Sequence, residues 1–199
     1  MVKKVYSAKF QIPEEVQVDI EGNTIKVKGS KGELQRTFMN PRLDINKEGS
    51  TITIKCREGI KFSRSDKMFI NTYRAHMRNV FRGARYGFTA KLKVCSGHFP
   101  ITVSVSGNTV SIKNFLGKKV PRTTTVMDGA KVEVKGDEIF VSGLDKEVVG
   151  QTAARIEQAT RITNRDRRIF QDGCYITKKP GDQDEWIKIT FTSKKKNEN

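Results

Sequence analysis

The chain repeats itself. Val18-Asp19-Ile20-Glu21-Gly22-Asn23-Thr24-Ile25-Lys26-Val27-Lys28 returns 85 residues later as Val103-Ser104-Val105-Ser106-Gly107-Asn108-Thr109-Val110-Ser111-Ile112-Lys113, and Gly32 meets Gly117 at the same offset. Further on, Ile52-Thr53-Ile54 is answered by Ile139-Phe140-Val141, and Asp66-Lys67 by Asp145-Lys146, each acidic–basic pair opening a stretch with helical spacing. One short match carries little weight, but the same order of elements after it points to an internal duplication. Whatever one half of the 199 residues folds into, the other half folds into as well.

Local signals agree within each copy. Val16, Val18 and Ile20 alternate with polar residues, Gly22-Asn23 turns the chain, and Ile25 and Val27 resume the alternation, which predicts a hairpin with one buried face. Both turn residues tolerate positive φ. Ile52 and Ile54 predict another strand. Over 66–82, Phe69, Tyr73, Met77 and Val80 recur at spacings of three and four, with His76 beside them. This predicts an amphipathic helix, N-capped by Ser65 or Asp66 and followed by Gly83. The second copy predicts strands near 101–106, 109–114, 131–135 and 138–142. Its helix, over 145–160, turns Val148, Val149, Thr152, Ala153, Ile156 and Ala159 inward. The expected fold class is α+β: two similar domains from an internal duplication, each a small antiparallel sheet packed by one helix. The first repeat takes residues 1–83 and the second 84–180, with 84–100 joining the halves. Residues 181–199 form a polar, basic tail ending in Lys194-Lys195-Lys196-Asn197-Glu198-Asn199.

Charge narrows the function. The sequence has 38 Lys and Arg against 22 Asp and Glu, a net charge of +16. Residues 55–93 alone hold eleven basic and two acidic side chains, more than half of the excess, and 161–199 hold ten against six. A charge kept only for solubility spreads evenly; concentrated charge points to a polyanionic partner and two phosphate-facing surfaces. No apolar run approaches the ~20 residues that span a bilayer. The N-terminus lacks the apolar core of a secretory signal, and three widely spaced cysteines make no disulfide framework. The expectation is a reduced, intracellular, soluble protein with an anionic partner and no membrane.

Catalysis needs convergent titratable groups, and few are offered. His76 and His98 lie far apart, and His76 sits in a helix that must bury one face. Cys95-Ser96-Gly97-His98 has the spacing of half a zinc site without the other half; Cys56 and Cys174 are isolated. There is no nucleophile elbow and no Walker loop; Gly29-Ser30-Lys31-Gly32 reads as a tight turn, and Asp137-Glu138 as solvated turn residues beside Gly136. No enzyme, cofactor, metal or small-molecule substrate is expected.

The basic residues are more specific. Lys67, Arg74, Arg78, Arg82 and Arg85 form one stripe along the first helix with only Asp66 for company, so no partner at i,i+4 relieves their repulsion. Arg161-Ile162-Thr163-Asn164-Arg165-Asp166-Arg167-Arg168-Ile169-Phe170 follows the second helix and breaks its apolar stripe, and Lys178-Lys179 lies shortly beyond. Planar arginine forks grip phosphate oxygens bidentately, and Asn and Thr add neutral donors. A third cluster, Asn114-Phe115-Leu116-Gly117-Lys118-Lys119 with Arg122, reads as a loop between strands in which Phe115 is the anchor and Gly117 permits close backbone approach.

At these residues the sequence resembles a known family. His98-Phe99-Pro100-Ile101, then Asn114-Phe115-Leu116-Gly117-Lys118, then Asn164-Arg165-Asp166-Arg167-Arg168-Ile169-Phe170-Gln171-Asp172-Gly173-Cys174-Tyr175-Ile176 resemble, in the same order, large-subunit ribosomal protein six, called nine in eukaryotes, in its archaeal and eukaryotic branch. The resemblance runs from about residue 9 to 180. It implies two similar α+β domains and a non-catalytic, cytoplasmic ribosomal protein that binds large-subunit rRNA near the factor-binding region, among neighbouring ribosomal proteins. It further implies that the second domain makes much of the RNA contact. The candidate RNA-binding residues are then Lys118, Lys119, Arg122, Arg161, Asn164, Arg165, Arg167, Arg168, Lys178 and Lys179, with His98 and, on the first helix, Arg74 and Arg78. The alternative is a free-standing RNA-binding regulator outside the ribosome.

Overall fold

A computed structural model of the chain describes residues 7–57 and 59–181. The expected tail, from residue 182 to the Lys194-Lys195-Lys196 run and beyond, lies outside the described residues. The first repeat runs β1 (Ser7–Gln11), β2 (Gln17–Glu21), β3 (Thr24–Lys28), β4 (Glu33–Thr37), β5 (Leu43–Glu48), β6 (Thr51–Cys56) and α1 (Arg64–Tyr86). The second runs β7 (Phe88–Cys95), β8 (Thr102–Ser106), β9 (Thr109–Lys113), a 3-10 turn (Phe115–Gly117), β10 (Arg122–Thr125), β11 (Ala130–Lys135), β12 (Glu138–Gly143), α2 (Lys146–Ala159) and β13 (Gly173–Lys178).

The pairing order shows the duplication directly. The first repeat holds the antiparallel sheets β2-β3-β4 and β1-β6-β5; the second holds β10-β9-β8 and β11-β12-β7-β13. Each unit is therefore α+β with one helix, as expected, but with two small sheets in place of one. Among the described residues strand β13 has no counterpart in the first repeat. It adds to the edge of β7 that β12 leaves open.

The duplicated hairpins pair as their alternation demands: Val18 lies opposite Val27 and Ile20 opposite Ile25, and Val103 opposite Ile112 and Val105 opposite Val110. Gly22 (φ 60°) and Gly107 (φ 57°) take the first position of two-residue turns, the place where a II′ hairpin needs a residue without Cβ. Each repeat closes its own core. Ile25, Val27, Ile52, Ile54, Ile70 and Met77 fill the first, and Leu92, Val110, Ile112, Ile139, Val141 and Ile156 the second.

Four local expectations need correction. Helix α1 starts earlier than predicted, capped by Ser63 rather than Ser65 or Asp66. The Ser63 hydroxyl accepts from the Asp66 N–H at 3.3 Å while the Asp66 carboxylate accepts from the Ser63 N–H at 2.8 Å, a reciprocal box. Its buried stripe is Ile70, Met77, Val80, Phe81 and Ala84 with Tyr73 half-buried, whereas Phe69 is 38% exposed. Helix α1 also runs through Gly83, three residues past the expected boundary, and ends at Gly87 with φ 74°. Consequently residues 84–100 are no mere connector. Phe88, Ala90, Leu92 and Val94 point inward from β7, which is bonded on both sides.

The repeats meet where Gly83 faces the start of α2. A Cβ on Gly83 would lie far inside contact distance of the Leu144 carbonyl oxygen, and the Leu144 side chain in turn covers Gly32. Beside this contact Arg36 donates to Glu147 at 2.7 Å, with His76 Nδ1 at 3.3 Å from the same carboxylate oxygen. Helix propensity favours alanine over glycine by about 1 kcal/mol, but pushing a methyl into backbone costs about 1–3 kcal/mol or more. Gly83→Ala is therefore expected to lower the thermal midpoint, by roughly 2–8 °C for a chain of this size. Scanning calorimetry checks it; a raised midpoint would show that the halves separate without cost.

Candidate nucleic-acid interface

Three loops of the second repeat are tied into one ledge. The first is residues 96–101, between β7 and β8. Asp172, its side chain 1% exposed, accepts from the backbone N–H groups of Gly97 and of His98 (3.1 Å) and sits 3.0 Å from His98 Nδ1. Burial alone pushes the Asp172 carboxyl up, but these donors outweigh it and hold it below the usual carboxylate range. The second loop, 114–122, is bound to the first: Asn114 donates to the Pro100 carbonyl at 3.0 Å, and Gly117 (φ 71°) lies against the Phe99 ring. Phe115 is 2% exposed and anchors this loop as expected, which lifts Lys118 and Lys119 into solvent.

The third loop follows α2. Arg122 lies over the Phe115 ring at 4.3 Å and donates to the Ala159 and Arg161 carbonyls at 2.7 and 3.2 Å, so it caps the helix end and fastens the second loop to the third. In 161–170 the chain turns at Asn164 (φ 59°), and Asp166 accepts from the Arg168 N–H at 2.9 Å. The one carboxylate among these arginines is thus spent on backbone. Arg161, Asn164, Arg165, Arg167 and Arg168 are all exposed.

The structure separates other candidates from this ledge. Lys178 and Lys179 are exposed at the far end of β13, about 17 Å from Gly173 by strand rise. There Gly181 lies beside the Lys146 amine, and its carbonyl accepts from Arg82 at 3.3 Å. Lys146 belongs to this second cationic cluster, and only the fold reveals it. Arg74 and Arg78 lie on α1 in the other repeat, half-buried and exposed respectively. The α1 stripe, expected to lack partners, takes a counter-ion from outside its helix, while its own Asp66 is turned to another arginine. Glu15 accepts from Arg85 at 2.7 Å, and Asp66 is engaged by the Arg42 fork at 2.8 and 2.9 Å. That guanidinium, with the Ser63 N–H and hydroxyl, holds the Asp66 carboxyl well below the usual carboxylate range.

Among the described residues no three His, Cys, Asp or Glu side chains converge as metal ligands. His98 is turned to Asp172, and burial pushes the Cys174 thiol up to about 11. No described helix is long and apolar enough to cross a membrane. What the ledge offers is exposed guanidinium and ammonium groups on a backbone fixed by buried anchors. Sequence reasoning passes over Phe170 and Asp172, which hold it together; the only trace of the latter is one carboxylate closing an arginine-rich segment.

Comparison with known proteins agrees with this architecture. The profile of the family described as ribosomal protein L6 matches twice, over residues 12–87 and 99–173, once on each repeat. The large ribosomal subunit protein uL6 of Methanococcus vannielii is 44% identical over 172 residues, covering 86% of this chain and 93% of that protein. The protein of the same name from Methanothrix thermoacetophila is 43% identical over 179 residues, covering 90% of this chain and 99% of its own. Both relatives are archaeal, in keeping with the branch that the sequence resembles. With a profile match on both halves and identity of this order over nearly its whole length, the chain belongs to the ribosomal protein L6 family.

Proposed function

We propose that the chain is a structural constituent of the large ribosomal subunit that binds large-subunit rRNA through the ledge of its second repeat, near the factor-binding region. As a member of this family it is a structural protein and not an enzyme. The observation that carries the RNA reading is the tethering of three loops, by Asp172, Asn114 and Arg122, so that Lys118, Lys119, Arg161, Arg165, Arg167 and Arg168 share one exposed edge. Fixed cations neutralise phosphates at little entropic cost, and release of condensed counterions supplies the affinity. Lys178 and Lys179, with Lys146, form a second contact; Arg74 and Arg78 contribute less. Its other partners are neighbouring ribosomal proteins, and its place is the cytoplasmic ribosome.

Affinity of the full chain for a large-subunit rRNA fragment, measured against salt, tests this. Log K is expected to fall linearly with log salt by about 0.7–0.9 for each phosphate neutralised. Arg167→Ala with Arg168→Ala should flatten that slope by roughly 1.5, more than Arg74→Ala with Arg78→Ala does. A flat wild-type response, or equal losses in the two double variants, contradicts the reading. In a sucrose gradient the protein should travel with the large subunit; sedimentation away from ribosomes would point to the free regulator instead.

A further inference from the structure

Phe170 is the middle layer of a stack. The Arg165 guanidinium carbon lies 4.6 Å from its ring centroid, and the His98 imidazole lies on it at 4.9 Å with 24° between the planes. Both distances and the small ring angle are those of offset-stacked planar groups. The stack is held by atoms that are not its own. Asp172 fixes His98 through the ring and the backbone, and Phe170 donates its N–H to the Asp166 carbonyl at 2.9 Å, closing the turn that presents Arg165. Yet its ends are open: Arg165 is exposed, and the His98 side chain is 39% exposed. Packing for stability alone places planar groups in series to bury them. Here a buried carboxylate orients an imidazole that keeps more than a third of its surface exposed. Phe99, next in sequence and 49% exposed, lies against Gly117, which brings the Lys118 and Lys119 loop to the same end.

We infer that the Arg165–Phe170–His98 stack is a platform for one unpaired RNA base, received on the outer face of His98, with Lys118 and Lys119 on the flanking phosphates. This rests on the RNA-binding reading and adds to it the class of nucleotide: unstacked, from a loop, bulge or single strand. Such bases are taken up on aromatic and guanidinium planes with little regard to sequence. It also gives His98 a role that charge does not, since its ring adds surface rather than a phosphate contact.

The test uses the full chain and a short single-stranded RNA carrying one 2-aminopurine, whose fluorescence is quenched on stacking, beside the same RNA with an abasic site there. Quenching on binding is expected, with about tenfold weaker binding of the abasic RNA. His98→Ala should remove the quenching and weaken binding about tenfold, with the salt slope unchanged, because no phosphate contact is lost. His98→Phe restores a ring and should restore the quenching. Arg165→Lys keeps the charge and the slope but loses the plane. Unchanged quenching in His98→Ala, or a slope that falls in step with affinity, overturns the platform. A flat slope in the wild type is a different failure, that of the RNA reading itself.

Discussion

Phe115→Ala is expected to destabilise the second repeat by about 3–5 kcal/mol, the usual cost of emptying an aromatic site in a packed core. The ring is 2% exposed in the core that holds Val110, Ile112 and Val126, and the first two belong to β9, whose ladder limits collapse onto the void. At roughly 2–4 °C per kcal/mol for a chain of this length, the thermal midpoint should drop by about 10 °C. A second consequence reaches the surface. Arg122 rests on the same ring and joins the 114–122 loop to the end of α2 through two carbonyls. Loss of the ring frees that side chain, so amide hydrogen exchange should rise at 114–122 and at 159–162 together. Exchange confined to one of these segments would refute the coupling.

Asp172 carries the next largest effect. Asp172→Ala removes a buried acceptor from three donors and should cost about 2–4 kcal/mol, since hydrogen bonds to a charged group contribute about 1.5–3 kcal/mol each but the loop relaxes into water afterwards. Asp172→Asn keeps an acceptor and the shape while removing the charge. The pH dependence has a definite sign. The folded carboxyl is held below its ordinary value, so its stabilisation is fully present above the unfolded carboxylate range near 3.9 and is lost as pH falls through the folded value. Wild type should therefore lose stability on acidification below about pH 4, and Asp172→Asn should show a shallower acid limb. Chemical denaturation at a series of pH values checks it; parallel curves would mean that the charge contributes nothing.

Much of the fold is legible in the sequence because it is local and occurs twice. The hairpins at 17–28 and 102–113 follow from period-two alternation around an identical Gly-Asn-Thr turn, and α2 follows from one unambiguous apolar stripe. Where neighbours decide, sequence reasoning slips. Met68-Phe69-Ile70 is apolar three times in a row, so the phase of α1 is open until the sheet beneath selects Ile70. Gly83 looks like a helix stop, yet it is there because Leu144 leaves no room for a side chain. Phe88, Ala90, Leu92 and Val94 do alternate, but a reading anchored on the hairpins takes 84–100 as a junction and passes over β7. For the interface, charge is legible and pairing is not. Arg85 meets Glu15 and Arg42 meets Asp66 across long sequence separations, while Phe170, a plain apolar residue in the sequence, turns out to be stacked between an arginine and a histidine.

The seam at Gly83 and Leu144 has a bearing on how the molecule meets large partners. Two lobes joined by a loose strap must be ordered afresh at each encounter, and that ordering is subtracted from the affinity. Here the Leu144 carbonyl and side chain and the Arg36–Glu147 pair meet the first repeat beside Gly83 and Gly32. A joint this close leaves less of that ordering to the encounter, because the two lobes already lie against each other before a partner arrives.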